Sequence, residues 1–220
     1  MRRYAPPGVQ THVTRLRMTG AHHVPLDELM PRIVEASLAL ADARCNPIVF
    51  HCTASSMEAG VDGEARVLDA MRTATQTRVA TTATGTLAAM RALGLLRIAL
   101  FSPYVPAIHQ HEIAFLEESG LSIVGGRCLG LSGSDAYLAV TPEDWMRIVQ
   151  TETPREAEGV FLSCTNIHTP DVVEALELVL DRPVITSNQA TLWYALRMLE
   201  LDDTVIGLGR LFNVGAEAAI

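Results

Sequence analysis

Strand-like and helix-like segments alternate along the whole of this sequence, which predicts an α/β protein whose parallel sheets are covered by helices. Two further observations sharpen that class. The strand-like runs are short and apolar, as in Val160-Phe161-Leu162 and Pro183-Val184-Ile185, the pattern of strands buried on both faces. One motif also occurs twice, so the chain reads as two related halves.

The elements follow in order. Residues 9–16 have the composition of a strand, 26–43 the spacing of a helix, and 47–50 that of a second strand. A helix over 63–74 precedes a strand at 78–81, and a helix over 85–93 runs through Gly94 into a strand at 97–101. The second half repeats the alternation: helix 108–119, strand 121–124, helix 142–151, then the apolar run 160–162 that delivers Cys164. Helix 171–180, strand 183–185 and helix 190–199 close the series. No low-complexity linker interrupts the chain. Residues 1–102 with 205–220 are expected to form a first lobe, and 103–204 a second.

Composition narrows the function classes. The chain has 220 residues, 49% of them hydrophobic and 19% charged, with a net charge of −8, which describes a globular protein with a sizeable core. The strongest basic cluster is Arg2-Arg3, so neither nucleic acid nor an anionic membrane is an expected partner. No stretch approaches the ~18 apolar residues of a membrane span, and no leader precedes the first element, which predicts a cytoplasmic protein. The four cysteines (Cys45, Cys52, Cys128 and Cys164) form no CxxC pair, and they are too scattered for a disulfide scaffold. The seven histidines lack metal-ligand spacing, so no metal is expected. Oligomeric state is left open, a homo-oligomer included.

The repeated motif carries the chemistry. VFHCTASS, from Val49 to Ser56, matches FLSCTNIH, from Phe161 to His168, with Cys52 and Cys164 in register. Downstream of each Cys-Thr lies a second matching pair, TTATGTLAAMRALGL from Thr81 and TSNQATLWYALRMLEL from Thr186. Each cysteine therefore leaves the carboxyl end of a strand, where open α/β sheets place their ligands. For Cys164 a following helix amino terminus would favour a thiolate. Pseudo-symmetry is expected to set the two thiols across a cleft. One thiolate can then attack carbon or remove a proton while the facing thiol donates one. Loop N–H groups and the hydroxyls of Thr53, Ser55, Thr82 and Thr165 are candidate donors to a substrate carboxylate. Each hydroxyl has a rival reading as a helix cap. Cys45 and Cys128 lack this context and read as structural.

These segments, together with APPGVQTHVTRLRM, RIALFSPY and LAVTPE, resemble the aspartate/glutamate racemase superfamily. Within it they resemble the branch that contains maleate cis–trans isomerase and arylmalonate decarboxylase. The resemblance spans nearly the whole chain, and SCTN with TSNQA is its most specific part. It implies two pseudo-symmetric, doubly wound lobes with a cofactor-free site in the cleft between them. It also implies a carboxylate pocket that includes a tyrosine, matched by Tyr104, while Asn166 of SCTN joins the candidate substrate-binding residues. The substrate class implied is a small carboxylate or dicarboxylate.

The decarboxylase keeps only the thiol matching Cys164 and has glycine in place of Cys52, whereas the isomerase and the racemases keep both. Retention of both favours a cofactor-independent isomerase of the maleate type, with Cys52 as nucleophile and Cys164 as acid/base. Decarboxylation, racemisation and a non-catalytic relative that lost part of its site are the alternatives. Against the family pattern the sequence begins beyond the first strand and its Ser-Asn-Thr loop, so the first lobe is expected to lack that strand. The family asparagine ahead of the Val-Thr-Pro-Glu segment is likewise replaced, by Ser132, Ser134 and Asp135.

Overall fold

A computed structural model describes residues 2–17 and 24–215. The first half contains α1 (Leu26–Asp42), β1 (Ile48–Phe50), α2 (Thr53–Met57), α3 (Gly60–Thr75), β2 (Val79–Thr81) and α4 (Thr82–Ala92). It continues through β3 (Arg97–Ser102), α5 (Pro106–Glu118), β4 (Ser122–Cys128), α6 (Ser134–Ala139) and α7 (Pro142–Glu152). The chain ends with β5 (Gly159–Leu162), α8 (Val173–Leu180), β6 (Val184–Thr186) and α9 (Ser187–Met198). All strands pair in parallel, in a two-stranded sheet β1-β2 and a four-stranded sheet ordered β4-β3-β5-β6. The expected α/β class with parallel sheets is therefore the observed one.

The strand cores explain the arrangement. All four residues of β5 are buried, as are all three of β2 and of β6, because helices cover both faces of a parallel sheet. Edge strand β4 carries a bulge where Ile98 pairs with Ile123 but Ala99 pairs with Gly125. Gly126, at φ +116, lies so close to β3 that an added Cβ would sit 2.0 Å from the Leu100 carbonyl oxygen. Only glycine fits there.

The repeat is visible as matched strand-to-helix junctions. Thr81 caps α4 by accepting from the Thr84 amide, and Thr186 caps α9 by accepting from the Gln189 amide. Each is a full capping box, in which the third helical residue's side chain reaches back to the cap's own N–H, so two orphan donors are satisfied at once. Helices α4 and α9 then pack directly on each other. A Cβ on Gly85 would come within 3.2 Å of both the Ala190 carbonyl oxygen and the Thr191 Cα, so glycine is what permits this close crossing. The two copies thus meet along their second motif.

Two expectations are corrected. Residues 9–17 have no regular structure and are mostly exposed, and β1 pairs with β2 alone among the described residues. An extended segment with no neighbouring strand has no ladder to satisfy its backbone. Strand β3 pairs with β4 and β5. The change of sheet therefore falls across α4, ahead of β3. Finally, α2 and α6 are short helices in segments expected to be loops. Each spans fewer than two turns, below the length at which apolar periodicity registers.

Candidate active site

The Cys52 loop is built by β1 and α2. Cys52 occupies the N-cap position of α2 in extended conformation, and its half-buried thiol donates to the Ser55 hydroxyl at 3.4 Å. Beside it, His51 spans two elements. Its Nε2 lies 2.9 Å from Asn188 Oδ1 and its Nδ1 lies 3.2 Å from the Thr82 hydroxyl. An amide oxygen can only accept, so Nε2 carries the proton and Nδ1 accepts from Thr82. This is a neutral imidazole, in keeping with a pKa that burial pushes down to about 4, against a smaller opposing effect of the Asn188 bond.

The Cys164 loop is built by β5 and by the long turn ahead of α8. Cys164 is 3% exposed and adopts φ +126, a conformation that costs a non-glycine residue about 1–3 kcal/mol and marks sites where surroundings impose it. What imposes it is visible. The Cys164 N–H donates to the Ser187 hydroxyl at 3.1 Å, and Ser187 also accepts from the Thr53 hydroxyl at 2.8 Å. One serine thus joins both cysteine loops. Asn188 makes a second link, because its Nδ2 donates to the Thr165 carbonyl at 3.2 Å while its Oδ1 holds His51.

The helix expected after Cys164 is present, but its first turn lies several residues beyond the thiol. A 3-10 turn begins at Pro170 and α8 only at Val173. The thiol is served instead by the Asn166 N–H at 3.3 Å and by the Tyr104 hydroxyl. Burial outweighs both and pushes the Cys164 thiol up to about 12. The group is therefore a held proton rather than a standing thiolate. Tyr104 follows β3, is buried, and packs edge-to-face on Tyr137 with ring centroids 5.5 Å apart. Its hydroxyl is pushed well above the ordinary value, first by burial and then by the charges of Cys164, Glu112 and Cys52. Cys52 also contributes electrostatically to Cys164, so both thiols and Tyr104 share one neighbourhood.

The remaining candidates separate by what already occupies them. Thr53, Thr82 and Thr165 spend a side-chain or backbone group on links that fix the loops, whereas Ser55 faces the Cys52 thiol. Asn166 holds its amide side chain 3.4 Å from the Ser134 carbonyl. Beside the Cys164 loop lies a cavity of about 320 Å³, lined by Thr165, Asn166, Asn188, Gln189 and Leu192 among others. Neither thiol lines it. Among the described residues no group of three or more His, Cys, Asp or Glu side chains is placed to hold a metal, and no helix is long and apolar enough to cross a membrane.

Sequence reasoning missed His51, Ser187 and Asn188 as site residues. Ser187 and Asn188 lie inside the repeated TSNQA junction, and Ser187 matches Thr82 in the other copy, so the repeat itself was their signal. His51 has no counterpart of its kind in the second copy, where Ser163 stands.

A family model described as arylmalonate decarboxylase matches residues 5–212. The arylmalonate decarboxylase of Bordetella bronchiseptica is 30% identical over 190 residues, covering 85% of this chain and 79% of that protein. The maleate isomerase of Nocardia farcinica is 27% identical over 208 residues, covering 92% and 83%. A structure of a Nocardia farcinica maleate cis–trans isomerase mutant with a covalently bound succinylcysteine intermediate superposes with a TM-score of 0.88 at 25% identity, over 94% of this chain and 88% of that one.

Proposed function

Because the chain belongs to the arylmalonate decarboxylase family, whose relatives here decarboxylate arylmalonates or isomerise maleate, we propose that it is a cofactor-independent cis–trans isomerase of a small enedioate such as maleate. The observation that carries this reading is the pairing of a half-buried Cys52 with a buried, protonated Cys164 and Tyr104 in one neighbourhood. A decarboxylase needs one proton donor. A second thiol on the other loop has a use only where carbon is attacked, or where protons are handled from two sides.

In the proposed cycle the Cys52 thiolate adds to one alkene carbon of the cis diacid, and the Cys164 thiol protonates the neighbouring carbon. The result is a saturated succinyl thioether with a single, rotatable central bond. After rotation the Cys164 thiolate takes back a proton, the C–S bond breaks, and the trans diacid leaves with Cys52 again a thiolate. The succinylcysteine in the Nocardia relative is an adduct of this kind, and its saturated carbon chain requires that a proton was delivered. Ser55, Thr165, Asn166 and loop N–H groups are the proposed partners of the substrate carboxylates, with Tyr104 positioning the acid. Two lobes, residues 1–102 with 205–220 and residues 103–204, are part of the proposal.

The 30% identity to the decarboxylase supports a second reading, in which Cys164 protonates the carbanion left by loss of CO2. Purified protein incubated with maleate and, separately, with phenylmalonate distinguishes the two. Fumarate formation abolished by Cys52→Ala supports isomerisation. CO2 release from phenylmalonate that survives Cys52→Ala supports decarboxylation and overturns the first reading. Neither product, at any enzyme concentration, overturns both readings in favour of racemisation or a non-catalytic relative.

A further inference from the structure

Beneath Cys164 and Tyr104 lies a buried carboxyl that the proposed cycle does not use. Glu112 sits on α5 and is 1% exposed. Its Oε1 accepts from the hydroxyl of Ser163, the residue that immediately precedes Cys164. Its Oε2 is buried without a hydrogen-bond partner among the described residues. One turn back on the same helix, His109 Nδ1 lies 2.8 Å from the hydroxyl of Ser102, two residues before Tyr104. Helix α5 therefore grips both chain segments that present the acid pair, one through Ser102 and one through Ser163.

Among the described residues no cationic side chain pairs with Glu112. The groups that interact with it electrostatically are Tyr104 after β3, Cys164 after β5 and Tyr137 on α6, each of which becomes an anion if it ionises. Cys52, ahead of α2, adds a further negative contribution at Tyr104 and Cys164. His109 is buried and held toward its neutral form. An unpaired ionised carboxylate in such a place is costly, and a buried carboxyl keeps its proton instead.

We propose that Glu112 is a positioning residue that supports the Ser163–Cys164 step as a neutral carboxyl, and that ionisation of either group opposes ionisation of the other. The role of Cys164 as acid/base rests on the isomerase reading, but the coupling between the two groups does not. Burial holds Glu112 at about 8 despite the opposing Ser163 bond. At neutral pH the site therefore carries no charge below the thiol. As Glu112 ionises, a second negative charge close by makes the Cys164 thiolate harder to form, so the two protons leave in coupled steps.

The test needs no substrate. Full-length protein labelled with ¹³C at glutamate Cδ is titrated by NMR, and the rate at which methyl methanethiosulfonate modifies Cys164 is read by peptide mass spectrometry between pH 7 and 10. One glutamate carboxyl is expected to titrate above pH 7 and to move further upward in Ser163→Ala, which loses the bond to the ionised form. Glu112→Gln keeps the Ser163 contact and removes the charge, so Cys164 modification at pH 9 is expected to rise about three- to tenfold. A purely structural role would leave that pH profile in place. If every glutamate titrates below pH 6, or Glu112→Gln leaves the Cys164 profile unchanged, the proposal is overturned while the isomerase reading stands. Should Glu112→Gln fail to fold, the carboxyl titration in wild type and Ser163→Ala decides alone.

Discussion

The two cysteine loops share a sequence motif and differ in physics. Cys52 is half-buried on a short helix and donates only to Ser55. Cys164 is enclosed, conformationally constrained and pushed up to about 12. Each loop rests on a titratable group that is neutral at pH 7, but for opposite reasons. His51 has given up its proton, with a pKa of about 4, whereas Glu112 has kept one, with a pKa of about 8. Burial selects the uncharged form in both, whichever side of the titration that form lies on. Duplication supplied two thiols at equivalent positions, and local burial made one of them a proton store.

The largest expected effect breaks the equivalence of the thiols directly. Cys52→Ala should lower turnover of maleate by about 10⁴-fold or more, since no other side chain can form the adduct. Cys164→Ser should retain slow turnover, because a hydroxyl still passes a proton, though poorly. Intact-mass spectrometry after reaction with maleate checks both. An adduct on Cys164 in the Cys52→Ala protein would reverse the two roles.

A second contrast lies in the repeated Arg of the α4 and α9 motifs. Arg91 is exposed, while Arg197 is 1% exposed. Arg197 donates to the Val214 carbonyl at 3.0 Å and lies 5.7 Å from the centre of the Trp193 ring. Arg197→Ala should cost about 3 kcal/mol, as it removes a buried guanidinium's packing on Trp193 together with its bonds to the Val214 and Leu201 carbonyls. Arg91→Ala should stay within about 0.5 kcal/mol. Urea unfolding of both variants tests the difference, and equal losses would mean that burial of the second Arg contributes nothing.

Ser187→Ala removes the hydroxyl shared by Thr53 and the Cys164 N–H. A loss of about 1–3 kcal/mol is expected, the cost of leaving buried donors unmade. Thr82→Val, at the matching position in the other copy, should cost less, because His51 there is only half-buried.

The pH dependence of stability gives two further effects, and they have opposite signs. The unfolded chain protonates His51 near pH 6.5 but the native state only near 4, so stability falls as pH drops from about 6.5 to 4. Glu112 behaves in reverse: the unfolded chain ionises it near 4.5 and the native state near 8, so stability falls as pH rises across that window. His51→Gln should flatten the acid side of a stability–pH curve and Glu112→Gln the neutral-to-alkaline side. Both slopes unchanged would show that neither group is held neutral by burial.

The sequence by itself determined the α/β class, the order of nearly every element and the two cysteine loops, because apolar periodicity and a repeated motif are local properties of the chain. It also located the junctions where Thr81 and Thr186 cap their helices, since a capping box spans four residues. Tertiary structure decided what no local pattern contains. Residues 9–17 have the composition of a strand but no partner, so they are not one. Strand β3 joins the sheet of the second half because hydrogen-bond partners, not chain position, assign a strand. Above all, the difference between Cys52 and Cys164 comes from side chains far away in sequence: Tyr104 bonds the Cys164 thiol, Glu112 lies close enough to act on it electrostatically, and Ser187 and Asn188 hold the backbone of its loop. A thiol's proton affinity depends on the dielectric and charges around it, and those are fixed only when the chain has folded.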